Sequence, residues 1–316
     1  MSKFAFIFPG QGSQFIGMGK ELAEASAAAK AVFEEVDAAL GQDLSGLMWS
    51  GSEDELKLTA NTQPALMAVS VAAMRALEDL HGIGADKAAF IAGHSLGEYS
   101  ALASAGAISV GDCAKVLRIR GNAMQDAVPA GEGAMAALLG ASPEQAADLC
   151  AAGAPLGPCE IANDNAPGQI VISGAKAAIE QAISGAKEAG VKKAVLLPVS
   201  APFHCSLMQP AADAMAEALS NIEIKAPSAP LVANVTATAG TDPEAIRQQL
   251  IDQVTGQVRW TETVQYMAEQ GVELTIEAGA GKVLSVMNRR TVRSLEGLTM
   301  GTPEEINAVS ERLNEA

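Results

Sequence analysis

The chain is expected to be an α/β protein with a central, mostly parallel sheet and a small ferredoxin-like subdomain set into it. Three observations point there. Short apolar runs alternate with stretches of helical periodicity through most of the sequence, the pattern of a parallel sheet with helices packed on its faces. Between 129 and 200 the order changes to βαββαβ, the signature of a ferredoxin-like unit. Hydrophobic residues make up 49% of the chain but aromatics only 3%, so Ala, Leu, Val and Ile must build the core, which suits close packing of helix on sheet.

The elements follow in order. "FAFIFPG" (4–10) is a strand ended by Pro9-Gly10, and 19–40 has apolar positions at helical spacing. A second helix is expected over 61–82, with Pro64 in its first turn and Gly82 as its stop. "AAFIAGHS" (88–95) is apolar without alternation, as in a strand covered on both faces. Helices over 96–106 and 109–128 complete the first part of the large domain. In the insertion, a strand (133–140) leads to a helix (142–153) with Ser142 at the N-cap and Pro143 at its first position. Two strands lie in 159–174, around a turn near Ala166-Pro167-Gly168, then a helix (175–190) stopped by Gly190 and a strand (191–200). The large domain resumes with a helix (206–221), a rigid "APSAP" connector, a strand (230–237), helices (242–254 and 260–271), a strand (273–279) and a helix (281–290). The expected division is therefore 1–128 with 201–316 as the large domain and 129–200 as the inserted one.

Charge and cysteine usage narrow the function. A formal net charge of −16 argues against nucleic acid and anionic membranes as partners, since both call for clustered Lys and Arg. Cys113, Cys150, Cys159 and Cys205 have neither zinc-site nor CxxC spacing and read as reduced thiols of a cytoplasmic protein. No apolar run approaches the roughly 20 residues of a membrane span, and the opening apolar run is too short for a signal peptide. A monomer is expected. Two phosphate-binding patterns fail on inspection. "EAGAGKV" (277–283) has Ile276 and Val283 where a phosphate loop needs Gly and Ser or Thr, and "PGQGSQ" lacks the third glycine of a dinucleotide fingerprint. No histidine or carboxylate cluster offers a metal site, so neither cofactor nor metal is expected.

The informative stretch is Gly93-His94-Ser95-Leu96-Gly97, a G-x-S-x-G sequence between an apolar strand and a helix. That context makes it a nucleophile elbow: a turn so sharp that the serine takes a strained backbone conformation, with glycines where neighbouring chain passes close. Ser95 would project at the carboxyl end of the sheet, and the backbone N–H of Leu96, at a helix N-terminus, would point to where an oxyanion forms. A serine hydroxyl needs a base. The chain has three histidines. His94 adjoins Ser95, where successive side chains diverge, and His81 ends a helix beside Gly82 as a surface or capping residue. His204, in "VSAPFHCS" (199–206), remains. No acid is well placed to orient it: Asp112, Asp126 and Asp148 sit on helices, and Asp164 follows no strand of the main sheet. A backbone carbonyl can fill that role by accepting the Nδ1–H.

Seven stretches together resemble the malonyl-CoA:acyl carrier protein transacylases: "FPGQGSQ" (8–14), "NTQPAL" (61–66), "GHSLGEYSAL" (93–102), "RIRGNAMQ" (118–125), "NDNAPGQIVISG" (163–174), "PFH" (202–204) and "EAGAGKVL" (277–284). They occur in order over nearly the full chain. The resemblance implies a hydrolase-like large domain carrying a ferredoxin-like small one. It implies transfer of malonyl from malonyl-CoA to the phosphopantetheine thiol of acyl carrier protein, in fatty-acid synthesis, by a ping-pong route through malonyl-serine. Carried over by position, Ser95 is the nucleophile and His204 the base, and the backbone N–H groups of Gln11 and Leu96 form the oxyanion hole. Arg120 matches the arginine that holds the malonyl carboxylate. Gln253 falls where the family offers a backbone carbonyl to the histidine, although Gln257 lies in the same stretch.

Arg120 sits in a helix otherwise apolar at Cys113, Val116, Leu117 and Met124. Arg118, two positions away, cannot share its face, whereas Met124 can. A guanidinium on such a stripe needs an anion, and a carboxylate gripped bidentately supplies one. Phe203 is expected to narrow the pocket, beside Met124, against a branched acyl group. Because carrier proteins of this kind are acidic, a local basic patch is required, with Lys192-Lys193 or Arg289-Arg290-Arg293 as candidates. The rival readings are an esterase or thioesterase using water as acceptor, which has no need of a buried arginine, and a non-catalytic carrier-binding scaffold, which needs neither Ser95 nor His204.

Overall fold

In the computed structural model the described residues are 3–199 and 201–315. The first part of the chain holds β1 (Lys3–Phe8), α1 (Lys20–Ala25), α2 (Ala27–Leu40), α3 (Leu44–Ser50), α4 (Glu53–Lys57), α5 (Thr59–His81), β2 (Phe90–Gly93), α6 (Gly97–Ser104) and α7 (Val110–Asp126). The middle part holds β3 (Gly133–Leu139), α8 (Pro143–Gly153), β4 (Cys159–Ala166), β5 (Gln169–Ala175), α9 (Lys176–Ser184) and β6 (Lys193–Leu196). The last part adds α10 (Gln209–Ser220), β7 (Leu231–Val232), β8 (Ala239–Gly240), α11 (Pro243–Thr255), β9 (Val258–Arg259), α12 (Trp260–Glu269), β10 (Val272–Ala278), α13 (Val283–Thr291), β11 (Glu296–Met300) and α14 (Pro303–Asn314).

The strands form two sheets. The larger has the order β11-β10-β1-β2-β7-β8 and is parallel except for the last pair. Its centre, β1, reads Phe4-Ala5-Phe6-Ile7-Phe8 and is buried on both faces, which is why it lacks alternation. The smaller has the order β6-β3-β5-β4-β9. Its first four strands, with α8 and α9, are the antiparallel ferredoxin-like arrangement expected from the βαββαβ pattern. β9 belongs to the later part of the chain and pairs in parallel with β4, Asn163 opposite Val258. This strand, too short to read from sequence, stitches the small sheet to the elements that follow it.

Several boundaries differ from expectation, each for a local reason. The helix expected over 19–40 is broken at Ser26, whose extended backbone (φ −133°) starts α2 and whose hydroxyl accepts the Ala29 N–H at 3.2 Å. The helix expected from 61 begins at Thr59, so Pro64 lies inside α5 rather than in its first turn. Just before it, Thr62 Oγ1 donates to the Leu56 carbonyl at 2.5 Å and ties the start of α5 to α4. The stretch 175–190 is helical only to Ser184 and then turns to Gly190, whose φ is +80°. Of the strand expected over 191–200, Lys193–Leu196 pairs in the sheet, and Ser200 lies outside the described residues. The strand expected over 230–237 is only Leu231–Val232, because the chain turns at Asn234. β8, β11, α14 and the short helices α3 and α4 have no counterpart among the expected elements. Among the described residues, no helix is long and apolar enough to cross a membrane.

Candidate active site

The elbow forms where β2 ends and α6 begins. Ser95 has φ +52°, a left-handed conformation that few non-glycine residues adopt. Two glycines make the turn possible. A Cβ on Gly93 would lie 1.9 Å from the Gly97 carbonyl carbon, and one on Gly97 would lie 2.2 Å from the Phe8 carbonyl oxygen. The strain at Ser95 is held by Asn234, which sequence reasoning missed. Its Oδ1 accepts the Ser95 N–H at 2.7 Å while its Nδ2 donates to the Gly93 carbonyl at 2.6 Å.

His204 arrives from the other side, in the segment after the small sheet, also with positive φ (+58°). Its Nδ1 meets the Gln253 carbonyl at 2.9 Å, and its Nε2 meets Ser95 Oγ at 2.8 Å. A carbonyl only accepts, so Nδ1 carries the proton and Nε2 accepts from the serine hydroxyl. The carbonyl that meets Nδ1 is that of Gln253, not of Gln257. Burial, and then the Arg120 charge, drives the His204 pKa from 6.5 down to about 3, so the ring is neutral at ordinary pH.

Arg120 is 1% exposed. It reaches the site because α7 lies against α5 at Gly121, where a Cβ would sit 2.6 Å from Ala60 Cα. Its Nη1 donates to Gln63 Oε1 at 2.9 Å, and its Nη2 to Gln253 Oε1 at 2.8 Å and to Ser95 Oγ at 3.1 Å. The Tyr99 ring lies 5.6 Å from the guanidinium carbon. Arg118 faces elsewhere, donating to Asn61 and Gln42 at 2.6 and 2.5 Å.

The three groups meet in a cleft of about 140 Å³ lined by residues from both sheets' surroundings. Gln11, Leu96, Met124 and Phe203 line it, as do Gln63, Asn163, Met135, Leu197 and Val199. Gln11 is brought in by Gly10, where a Cβ would lie 2.7 Å from the His94 carbonyl oxygen. The other histidines are engaged elsewhere: His94 Nε2 donates to Asn165 Oδ1 at 2.8 Å, and His81 bonds Asn307 Oδ1 at 3.1 Å on the surface. Of the acids considered for a triad, Asp164 accepts from Thr261 Oγ1 at 2.7 Å and Asp112 from Ser109 at 2.8 Å. The acid near the centre is Glu98, in the first turn of α6 and fully buried. A charged residue inside the apolar run "LGEYSALASAG" was the signal that could have revealed it. In the failed phosphate loop, the helix N-terminus is already occupied: Glu277 accepts the Leu284 and Ser285 N–H groups at 3.0 and 2.7 Å. Of the basic residues, Arg289 and Arg293 line an exposed groove with Lys282, while Lys192 and Lys193 are exposed beside β6.

A profile of the acyl transferase domain family matches residues 5–309. The chain is 46% identical over 318 residues to the malonyl CoA-acyl carrier protein transacylase of Bacillus subtilis (strain 168), covering 100% of this chain and 98% of that one. It is 44% identical over 311 residues to the protein of the same name from Escherichia coli (strain K12), covering 98% and 100%. Among solved structures, the acyl-carrier-protein S-malonyltransferase of Bartonella henselae superposes with a TM-score of 0.97 at 54% identity, over 99% of each chain. A malonyl-transacylase solved in complex with a type II polyketide acyl-carrier protein superposes with a TM-score of 0.95 at 42% identity, over 98% of this chain and 100% of that one.

Proposed function

The chain belongs to the acyl transferase domain family, and from that membership we propose that it moves a malonyl group from malonyl-CoA to the phosphopantetheine thiol of acyl carrier protein through a malonyl ester of Ser95. The observation that carries the reading is a buried guanidinium 3.1 Å from a hydroxyl that is itself 2.8 Å from a neutral imidazole. An ester hydrolase has no use for a full positive charge at that place. A substrate with a carboxylate next to its reacting carbonyl does.

In the first half-reaction His204 Nε2 takes the Ser95 hydroxyl proton as the oxygen adds to the thioester carbonyl. The Gln253 carbonyl stabilises the resulting imidazolium through Nδ1, the part a carboxylate plays in a triad. Backbone N–H groups of Gln11 and Leu96, both lining the cleft, serve the oxyanion. The C–S bond then breaks, and the imidazolium returns its proton to the departing CoA thiolate. In the second half-reaction the carrier thiol gives its proton to His204, its sulfur adds to the ester carbonyl, and Ser95 leaves with that proton. Arg120 holds the carboxylate throughout, and Met124 and Phe203 bound the space around the acyl chain. No cofactor is invoked in any step. The tethered thiol competes with water because it is delivered in line to a fixed carbonyl, whereas water must be captured from solution.

The test is intact mass. Incubation with malonyl-CoA alone is expected to add one malonyl group, mapped to Ser95, and Ser95→Ala is expected to remain unmodified. Holo carrier protein should then discharge the adduct, with free malonate as the minor product. An unmodified wild-type protein would end the reading, and release chiefly as free malonate would move it to a thioesterase.

A further inference from the structure

Glu98 is buried one turn behind the nucleophile, and the reaction above makes no use of it. Both of its hydrogen bonds converge on one oxygen. Oε2 accepts the Asn234 backbone N–H at 2.9 Å and the Gln253 Nε2–H at 3.0 Å. Those two partners hold the reacting groups: Asn234 accepts from the Ser95 N–H, while Gln253 accepts from His204 Nδ1 through its backbone and from Arg120 through its side chain.

The donor–acceptor sense of this network matters. A glutamine amide has two chemically opposite ends, and a packed cavity accommodates either orientation. Arg120 only donates, so Gln253 must show it Oε1, and therefore Nε2 must point the other way. There it meets Glu98 Oε2 and the Ser95 carbonyl, each at 3.0 Å. Protonation does not reverse the sense, because Oε2 already takes two N–H groups and a proton would go to Oε1. The groups that face Glu98 electrostatically are Arg120 and Tyr99.

We propose that Glu98 is a positioning residue, whose Oε2 orients the Gln253 amide and anchors Asn234, and thereby aims Arg120, His204 and Ser95 at one point. The proposal rests on the malonyl-transfer reading, because its readout is the preference for a carboxylated acyl group. The experiment compares wild type, Glu98→Leu and Glu98→Gln for kcat/KM of serine acylation with malonyl-CoA and with acetyl-CoA. Glu98→Leu removes the acceptor at similar volume. It is expected to lower the malonyl rate on the order of 100-fold, the effect of misplacing a reacting group by about 1 Å, and to lower the malonyl-to-acetyl ratio about tenfold as Arg120 loses its aimed partner. Glu98→Gln keeps an acceptor oxygen at the same place and is expected to recover about tenfold or more of the loss, together with the ratio. An equal fall for both substrates in Glu98→Leu, or none, overturns the proposal. If Glu98→Leu does not fold, Glu98→Gln decides alone: a wild-type ratio supports the acceptor role, and a collapsed ratio overturns it. A wild type that is not acylated at all refutes the malonyl reading instead.

Discussion

At Arg120 a full charge is buried among Tyr99, Gln63, Gln253 and Ser95, and no carboxylate among the described residues is bonded to it. Burial presses its pKa down, and the nearby Tyr99 and Glu98 only partly offset this. Arg120→Ala is expected to lower malonyl transfer by about 10–100-fold, the range of a charged hydrogen bond, while acetyl transfer falls less. An unchanged ratio of the two would clear Arg120 of substrate recognition. His204 is tuned differently. With its pKa at about 3, it is deprotonated and ready to accept a proton well into the acid range. The acid limb of kcat/KM for acylation is therefore expected well below pH 6.5, the value of a solvated imidazole. His204→Ala should cost about 10²–10⁴-fold. A near-normal rate would return attention to His94, whose burial and bond to Asn165 otherwise keep it a structural link.

The elbow works because three elements crowd together. β2 delivers the serine, α6 begins at once, and β1 runs beneath so closely that no side chain fits at Gly97. The contacts facing Gly93 and Gly97 are backbone atoms, which cannot swing aside like a flexible side chain. Gly97→Ala is accordingly expected to destabilise the protein by about 3 kcal/mol, the upper end for overpacking. Thermal or denaturant unfolding measures this, and a melting temperature within a degree of wild type would refute the crowding argument. The same logic separates the two arginines of α7. Arg118 and Arg120 are spaced two apart, so one reaches Asn61 and Gln42 while the other turns inward.

Across the whole molecule, the cleft depends on two sheets being held together by small polar links. His94 meets Asn165 of β4, Thr261 of α12 meets Asp164 of β4, and Glu160 of β4 accepts from Ser206 just after His204. Buried ionisable groups at this seam make stability depend on pH. The depressed His204 pKa means that the unfolded chain binds its proton first on acidification, so stability is lost as pH falls from 6.5 toward about 3. Glu98, raised from 4.5 to about 7 by burial, acts in the opposite sense: the folded state binds its proton first, so stability is lost as pH rises through 4.5 to 7. The two oppose each other between 4.5 and 6.5, and on the acid side His204 acts together with His94, whose pKa burial also lowers. Denaturant melts at pH 4 and pH 7 are expected to show a smaller acid loss for His204→Gln than for wild type. An equal loss in both would place the titrating group elsewhere.

Much of this was legible in one dimension because it rests on local rules. A strand followed by G-x-S-x-G and a helix can fold sharply in few ways, which exposed Ser95, and the βαββαβ order carried the topology of the small sheet. Elimination among three histidines left His204, and the resemblance then supplied Gln11, Gln253 and the role of Arg120, which no spacing rule connects to Ser95. What sequence periodicity could not reach were contacts between distant segments. Asn234 lies 139 positions from Ser95, and Gln253 lies 155 from Glu98. Two-residue strands such as β7 and β9 leave no periodic trace, because pairing with neighbours rather than their own side-chain pattern defines them. Composition and local pattern determined the fold class and the candidate nucleophile, since both arise from short-range sterics and burial. Only the tertiary structure decided which carbonyl orients the base, which way the Gln253 amide faces and where Glu98 sits, because a hydrogen bond between remote residues requires the packed chain to bring them within about 3 Å.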